Sequence, residues 1–197
     1  MPEARKKMGC KNCMIAFRNE DESNGITFIA PEKLKDLEEL QYNYTYAEGV
    51  NYADNIQNIY LKKPTGAEIQ LTFSNISSKM LAKIMGKKYN KGGYSTNANE
   101  KAVPVAILFQ ETYSDGSFIN TVFYNVKLAR DESTAKSSGE NFDFTPIVLK
   151  GKAIPFNNKK AIDEISFVMD SAETDVDKTK LYKFFTEVVY AADEDIA

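Results

Sequence analysis

The sequence predicts a mainly β domain of the α+β class, with one helix packed on the sheet and a second helix near the C-terminus. Three observations lead there. A hairpin of two apolar strands runs from Val103 to Leu128 around the turn Ser114-Asp115-Gly116-Ser117. A single one-sided stripe, Met80, Leu81, Ile84 and Met85, stops at Gly86. A second stripe, Val176, Leu181, Phe184, Phe185 and Val188, follows Asp175.

Taken in order, Cys13 to Arg18 and Ile26 to Ile29 read as short strands joined by an acidic hairpin loop ending at Gly25. That loop lacks the alternating oxygen spacing of a calcium site, so a solvated turn is expected. Leu34 to Ala47 reads as extended, because Tyr42, Tyr44 and Tyr46 alternate. Residues 48–65 are polar and aperiodic and read as one long loop, which inside an economical domain points to function. Ala67, Ile69, Leu71 and Phe73 restore strand alternation.

Asn75 or Ser77 then caps the helix, with Lys79 and Lys83 on its solvated side. Residues 87–101 read as a loop. Val103, Val105, Ile107 and Phe109 alternate on the outgoing central strand, and Phe118, Val122, Tyr124, Val126 and Leu128 on the return, with Asn120 interrupting. Ala106, Leu108, Ile119 and Phe123 make the opposite face apolar too, so this hairpin should be covered on both sides. Arg130 to Glu140 is a polar, Ser-rich loop, Phe142 to Ile154 resumes β structure, and Ser166 to Asp170 is the last strand. Residues 1–7 should be flexible and 191–197 frayed.

A chain of 197 residues suits one domain with a full core, here spanning 1–197. Its 43% hydrophobic and 27% charged residues are those of a globular protein. No apolar run is long enough to span a bilayer, and no apolar segment follows the charged start Met1 to Lys7, so synthesis and folding in a cytoplasm are expected. The absence of histidine removes Ser-His-Asp and Cys-His catalysis and imidazole zinc sites. Cys10 and Cys13 are at most half of a zinc site, and Met14 to Phe17 reads as a strand rather than the helix of a thioredoxin-like pair. No phosphate loop, dinucleotide fingerprint or nucleophile elbow occurs. The expectation is therefore no enzyme, no metal and no cofactor. A net charge of −3 gives no general electrostatic reason to grip nucleic acid.

Tyrosine placement is the positive signal. Five of the eleven, Tyr42, Tyr44, Tyr46, Tyr52 and Tyr60, fall between residues 42 and 60. Tyrosine buries a large ring while keeping its hydroxyl satisfied, which favours interfaces. Tyr42, Tyr44 and Tyr46 could equally line one face of a strand. Tyr52 and Tyr60, with the adjoining Asp54-Asn55, are expected to drive self-association through residues 41–63.

The order of elements resembles that of the major tail (tail tube) proteins of long-tailed bacteriophages. The resemblance rests on Met8-Gly9 with Lys11-Asn12, Asn24 to Thr27, Tyr52-Ala53-Asp54-Asn55, Leu81 to Gly86, Pro104 to Glu111 and Phe142 to Pro146. It covers residues 8–190 as a succession of short motifs, and Phe184-Phe185 stands where the family pattern has a Trp-containing pair. The resemblance implies a β-sandwich or open β-barrel subunit that closes into hexameric rings, stacked into a tube in the virion. It also implies tape measure, tail tip and terminator proteins as partners, and DNA passing through the lumen without specific binding; the mildly acidic balance of the chain fits a conduit with walls biased to Asp and Glu. Two further readings compete: the inner tube of a phage-tail-like bacteriocin or contractile injection system, and a carbohydrate-binding β-sandwich using the tyrosines as a platform.

Overall fold

The central hairpin lies in the middle of one nine-stranded antiparallel sheet. The computed structural model describes residues 5–21, 25–53, 56–130, 132–133 and 145–192. Strands β1 (Lys7–Asp21), β2 (Gly25–Phe28) and β3 (Glu32–Lys33) open the chain, and β4 (Leu37–Ala53) and β5 (Ile56–Phe73) form its longest hairpin. Helix α1 (Ser78–Ile84) and the ribbon β6 (Tyr89–Asn90) and β7 (Gly93–Tyr94) precede the central pair, β8 (Val105–Tyr113) and β9 (Phe118–Ala129). Then follow β10 (Ile147–Ala153), the ribbon β11 (Phe156–Asn158) and β12 (Ala161–Glu164), β13 (Ser166–Asp170) and α2 (Lys178–Lys183). Neighbours run β2-β1-β8-β9-β10-β5-β4, with β3 on β1 and β13 on β9.

This sheet is curled rather than flat. In a flat sheet β4 would stand roughly 19 Å from β8, four strand spacings away. Instead the Tyr42 ring of β4 lies 5.5 Å from Phe109 of β8 and 5.4 Å from Phe123 of β9. The two ends of the strand order thus fold over a common interior, an open barrel. Its core is built by Ile15 and Phe17, by Ala67, Ile69, Leu71 and Phe73, by Ile107 and Phe109, and by Phe123, Val126 and Leu128. A second core covers the outer face of β1, β8 and β9, where Ala106, Leu108, Val122 and Tyr124 meet Phe156, Ala161, Phe184 and Val189. Both faces of the central hairpin are therefore buried, as its two apolar sides require.

Two irregularities set which side chain enters which core. On β9 three residues separate Val126 from Phe123 while β8 spends two, Val105 to Ile107, so β9 carries a bulge. Val122 and Tyr124 consequently face the outer core, and Val126 and Leu128 the inner one. The expectation of one continuous face from Val122 to Leu128 is corrected by that extra residue. On β1 a bulge between Lys11 and Met14 places Asn12 at φ 54°, the left-handed region that Asn tolerates better than most residues. Asn120, the apparent interruption, is buried and accepts from Gln110 Nε2 at 2.8 Å. A buried amide pair of this kind satisfies itself.

Helix α1 starts where Ser77 Oγ accepts from Met80 N at 3.2 Å. It ends at Gly86, whose φ is +67° and whose missing Cβ leaves room for the Lys101 carbonyl. Leu81, Ala82 and Ile84 are buried and Met80 and Met85 partly so. Lys83 is engaged rather than simply solvated, lying 2.5 Å from Glu32 and 3.9 Å from the Phe17 ring centre.

Several boundaries differ from expectation. Residues 48–65 are not a loop: β4 and β5 pair through to Ala53↔Ile56. Of the segment 1–7, residues 1–4 lie outside the described residues, while the Arg5 guanidinium holds Asp170 at 2.5 and 2.9 Å and lies over the Tyr113 ring. Residues 87–101 contain the β6–β7 ribbon. The C-terminal helix is short, because its stripe leaves the helical path after Lys183 while Asp177 caps its start; Phe184 and Val189 are buried beyond it. The predicted strand at Ser166 to Asp170 is present over those residues. Most of the Ser-rich loop, residues 142–144 and residues 193–197 lie outside the described residues.

The seven-residue helix α1 is too short to persist alone, so packing must hold it. Leu81→Ala should lower stability by about 2–5 kcal/mol. Lys83→Ala, removing an exposed pair and a ring contact, should cost about 1 kcal/mol or less. Urea or thermal melts of the two variants check this, and a Leu81→Ala protein melting like wild type would contradict the placement of the helix.

Candidate subunit interface

Strand β10 accompanies β5 only from Ile147↔Phe73 to Ala153↔Ala67. Beyond Gly66, β5 pairs with β4 alone, from Thr45↔Gly66 to Ala53↔Ile56. The hairpin therefore leaves the sheet as a two-stranded arm, ~27 Å long over the eight steps from Thr45 to Ala53 at about 3.4 Å per residue. Gly66 marks the exit, where a side chain would collide with the Ala153 carbonyl. Pro64 fits here because an arm strand without a second neighbour needs no complete ladder.

Residues facing each other across an antiparallel pair share a side, so Tyr46, Glu48 and Val50 lie on one face with Pro64, Lys62 and Tyr60. Glu48 and Lys62 pair at 2.9 Å, and the Lys62 ammonium sits 4.5 Å from the Tyr46 ring centre. Hydrogen bonds from Lys62 and Tyr60 hold the Glu48 carboxyl below its usual range. The opposite face presents Ala47, Gly49, Leu61 and Lys63. Every described side chain from Tyr46 to Val50 and from Tyr60 to Thr65 is exposed. Among them Val50 is 47%, Tyr60 51% and Leu61 67% exposed, apolar surface on a ribbon with no core beneath it.

The tyrosine group thus divides. Tyr42 and Tyr44 point into the barrel, Tyr44 5.8 Å from Phe123 with its hydroxyl 2.7 Å from Ser166 Oγ. Burial, with Glu111 nearby, pushes the Tyr42 phenol up to about 12. These two rings close the barrel of their own subunit. Tyr46 and Tyr60 stand on the arm. Tyr52 belongs to β4, opposite Gln57, but its side chain and residues Asp54 and Asn55 lie outside the described residues. The exposed Val50 and Leu61 and the Glu48–Lys62 pair are not part of the sequence reading, which takes residues 48–65 as polar and aperiodic. The alternations Tyr46-x-Glu48-x-Val50 and Tyr60-x-Lys62-x-Pro64 were the available signal.

Open edges accompany the arm. β4 ends the strand order, so its outer edge has no partner strand among the described residues. At the other end, β3 meets β1 at Met14 and Ile15 and β2 meets it from Arg18 to Asp21, leaving the outer edge of residues 7–12 without a strand among the described residues. Unpaired edges at both ends of one sheet are sites at which another chain can pair.

No family model and no curated protein matches this chain.

Geometry therefore carries the interpretation. Among the described residues no group of His, Cys, Asp or Glu side chains could hold a metal, and no helix is long and apolar enough to cross a membrane. The bulge at Asn12 separates the two cysteines: Cys10 is exposed and Cys13 is buried. Burial drives the Cys13 thiol well above its usual range, and partial burial with Glu111 nearby raises Cys10. At neutral pH a maleimide should label Cys10 in the folded protein and reach Cys13 only after unfolding. Peptide mapping of the labelled sites checks this; native labelling of Cys13 at the rate of Cys10 would contradict its place in the core.

Proposed function

We propose that this chain is a structural subunit that assembles with copies of itself, and that the assembly is the tail tube of a long-tailed phage. The observation that carries the reading is the β4–β5 arm. An isolated two-stranded ribbon is marginal in water, and this one exposes Val50, Tyr60 and Leu61 with both edges open. Its order and its apolar surface make physical sense when a neighbour covers it.

Strand edges at both ends of the sheet order support the same reading. Pairing of the edge at one end with the edge at the other end of the next copy is head-to-tail, and such contacts close into rings or continue as filaments. Stacked hexameric rings with DNA passing through the lumen follow from the family resemblance, as do the virion location and the tape measure, tip and terminator partners. No catalytic step or cofactor belongs to this reading. A carbohydrate platform is less well supported, since Tyr42 and Tyr44 are committed to their own barrel and only Tyr46 and Tyr60 of the described rings stand on the arm.

Replacing Tyr60 and Leu61 with Ser removes one ring and one apolar side chain from opposite faces of the arm. The variant should keep the wild-type melting behaviour as a dilute monomer, because neither side chain joins a core. Negative-stain microscopy of concentrated protein should show rings or tubes for wild type and none for the variant. Normal tubes from the variant, or wild type that stays monomeric at high concentration, would overturn the proposal.

A further inference from the structure

The outer face of the curled sheet is only half covered. The second core shields β1, β8 and the first part of β9, whereas no described residue covers the outer face of β4, β5, β10 and the last part of β9. A groove of about 490 Å³ lies on it, lined among others by Asn43, Gln70, Lys127, Lys150 and Lys152, with Glu68 as its one carboxylate. Gly151 forms part of its floor, where a side chain would collide with the Lys127 carbonyl.

Charge placement in this groove runs against the sheet's own stability. Lys127 and Lys152 stand directly opposite each other across β9 and β10, and like charges in that position repel. Lys152 has Glu68 at 3.6 Å, while Lys127 and Lys150 are exposed and form no ion pair with a described residue. Exposed carboxylates lie at the other end of β9. Asp170 pairs with Ile119 there and leads into an exposed turn bearing Glu173 and Asp175, neither ion-paired to a described residue. Lys127 and Ile119 are eight residues apart on one strand, so the two charged regions are separated by ~26 Å along it.

We infer that the lysine groove around Lys127 and Lys150 is a docking surface for a second copy of this chain, which enters it with the acidic turn at Glu173 and Asp175. A positive surface at one end of the subunit and a negative turn at the other generate a head-to-tail contact that repeats from copy to copy. The groove's amides can hydrogen-bond around the carboxylates, and occupation removes the cost of the opposed lysines. This contact rests on the self-assembly reading, but it uses side chains away from the arm.

Charge reversal tests it. Lys127→Glu with Lys150→Glu, and separately Glu173→Lys with Asp175→Lys, should each keep the fold, since all four side chains are exposed. Each double variant should raise the concentration needed for assembly at least about tenfold, as followed by sedimentation velocity and microscopy. A one-to-one mixture of the two, or one chain carrying all four changes, should assemble near the wild-type concentration. Assembly of either double variant like wild type overturns the contact, as does failure of both the mixture and the four-change chain. So does a lysine variant that assembles normally yet loses retention of a duplex DNA probe, which would assign the groove to phosphates. Wild type that never assembles sinks the self-assembly reading itself, an outcome distinct from any of these.

Discussion

A mismatch in strand length governs this molecule. β5 runs from Ile56 to Phe73, but β10 covers it only from Ala67 onward, and among the described residues no further strand pairs with β4. Backbone N–H and C=O groups need partners, and the outward groups of a ribbon two strands wide find theirs in water or in another chain. Everything unusual about the surface follows from that shortfall: an arm ordered beyond its core, open edges, and apolar side chains placed where water meets them. The remainder of the fold is conventional by comparison, with buried cores on both sides of the central hairpin.

Curling and bulging make those two cores possible. Tyr42 and Tyr44 reach Phe123 only because the sheet folds its β4 edge over β8 and β9. One extra residue on β9 sends Tyr124 outward to stack on Phe156 and Tyr190 while Val126 returns to the interior. The outer core then needs cover, which β11, β12 and the C-terminal segment supply, with the Tyr124 hydroxyl donating to the Val189 carbonyl at 2.9 Å. That cover stops short of β10, β5 and β4, and so leaves the polar face with the opposed lysines.

Legibility followed local pattern. The central hairpin, the Ser77-capped helix and the strand at Ser166 to Asp170 were readable because period and turn chemistry agree within each segment. Alternation after Val122 misled because a bulge reverses sidedness without leaving a sequence mark. The arm reads as a loop because residues 48–65 are polar with little periodicity, and strand propensity depends heavily on context. The tyrosine group was legible as a group but not in its division, since only tertiary curling decides that Tyr42 is interior and Tyr60 is not.

The central claim is that the arm is completed by a neighbouring copy, and amide hydrogen exchange tests it most directly. In the dilute monomer, amides of residues 46–53 and 56–63 should exchange far faster than those of β8 and β9, which lie between two cores. On assembly the arm amides should become protected while the central hairpin changes little. An arm already protected like β8 and β9 in the monomer, or one that exchanges equally fast after assembly, would contradict the account.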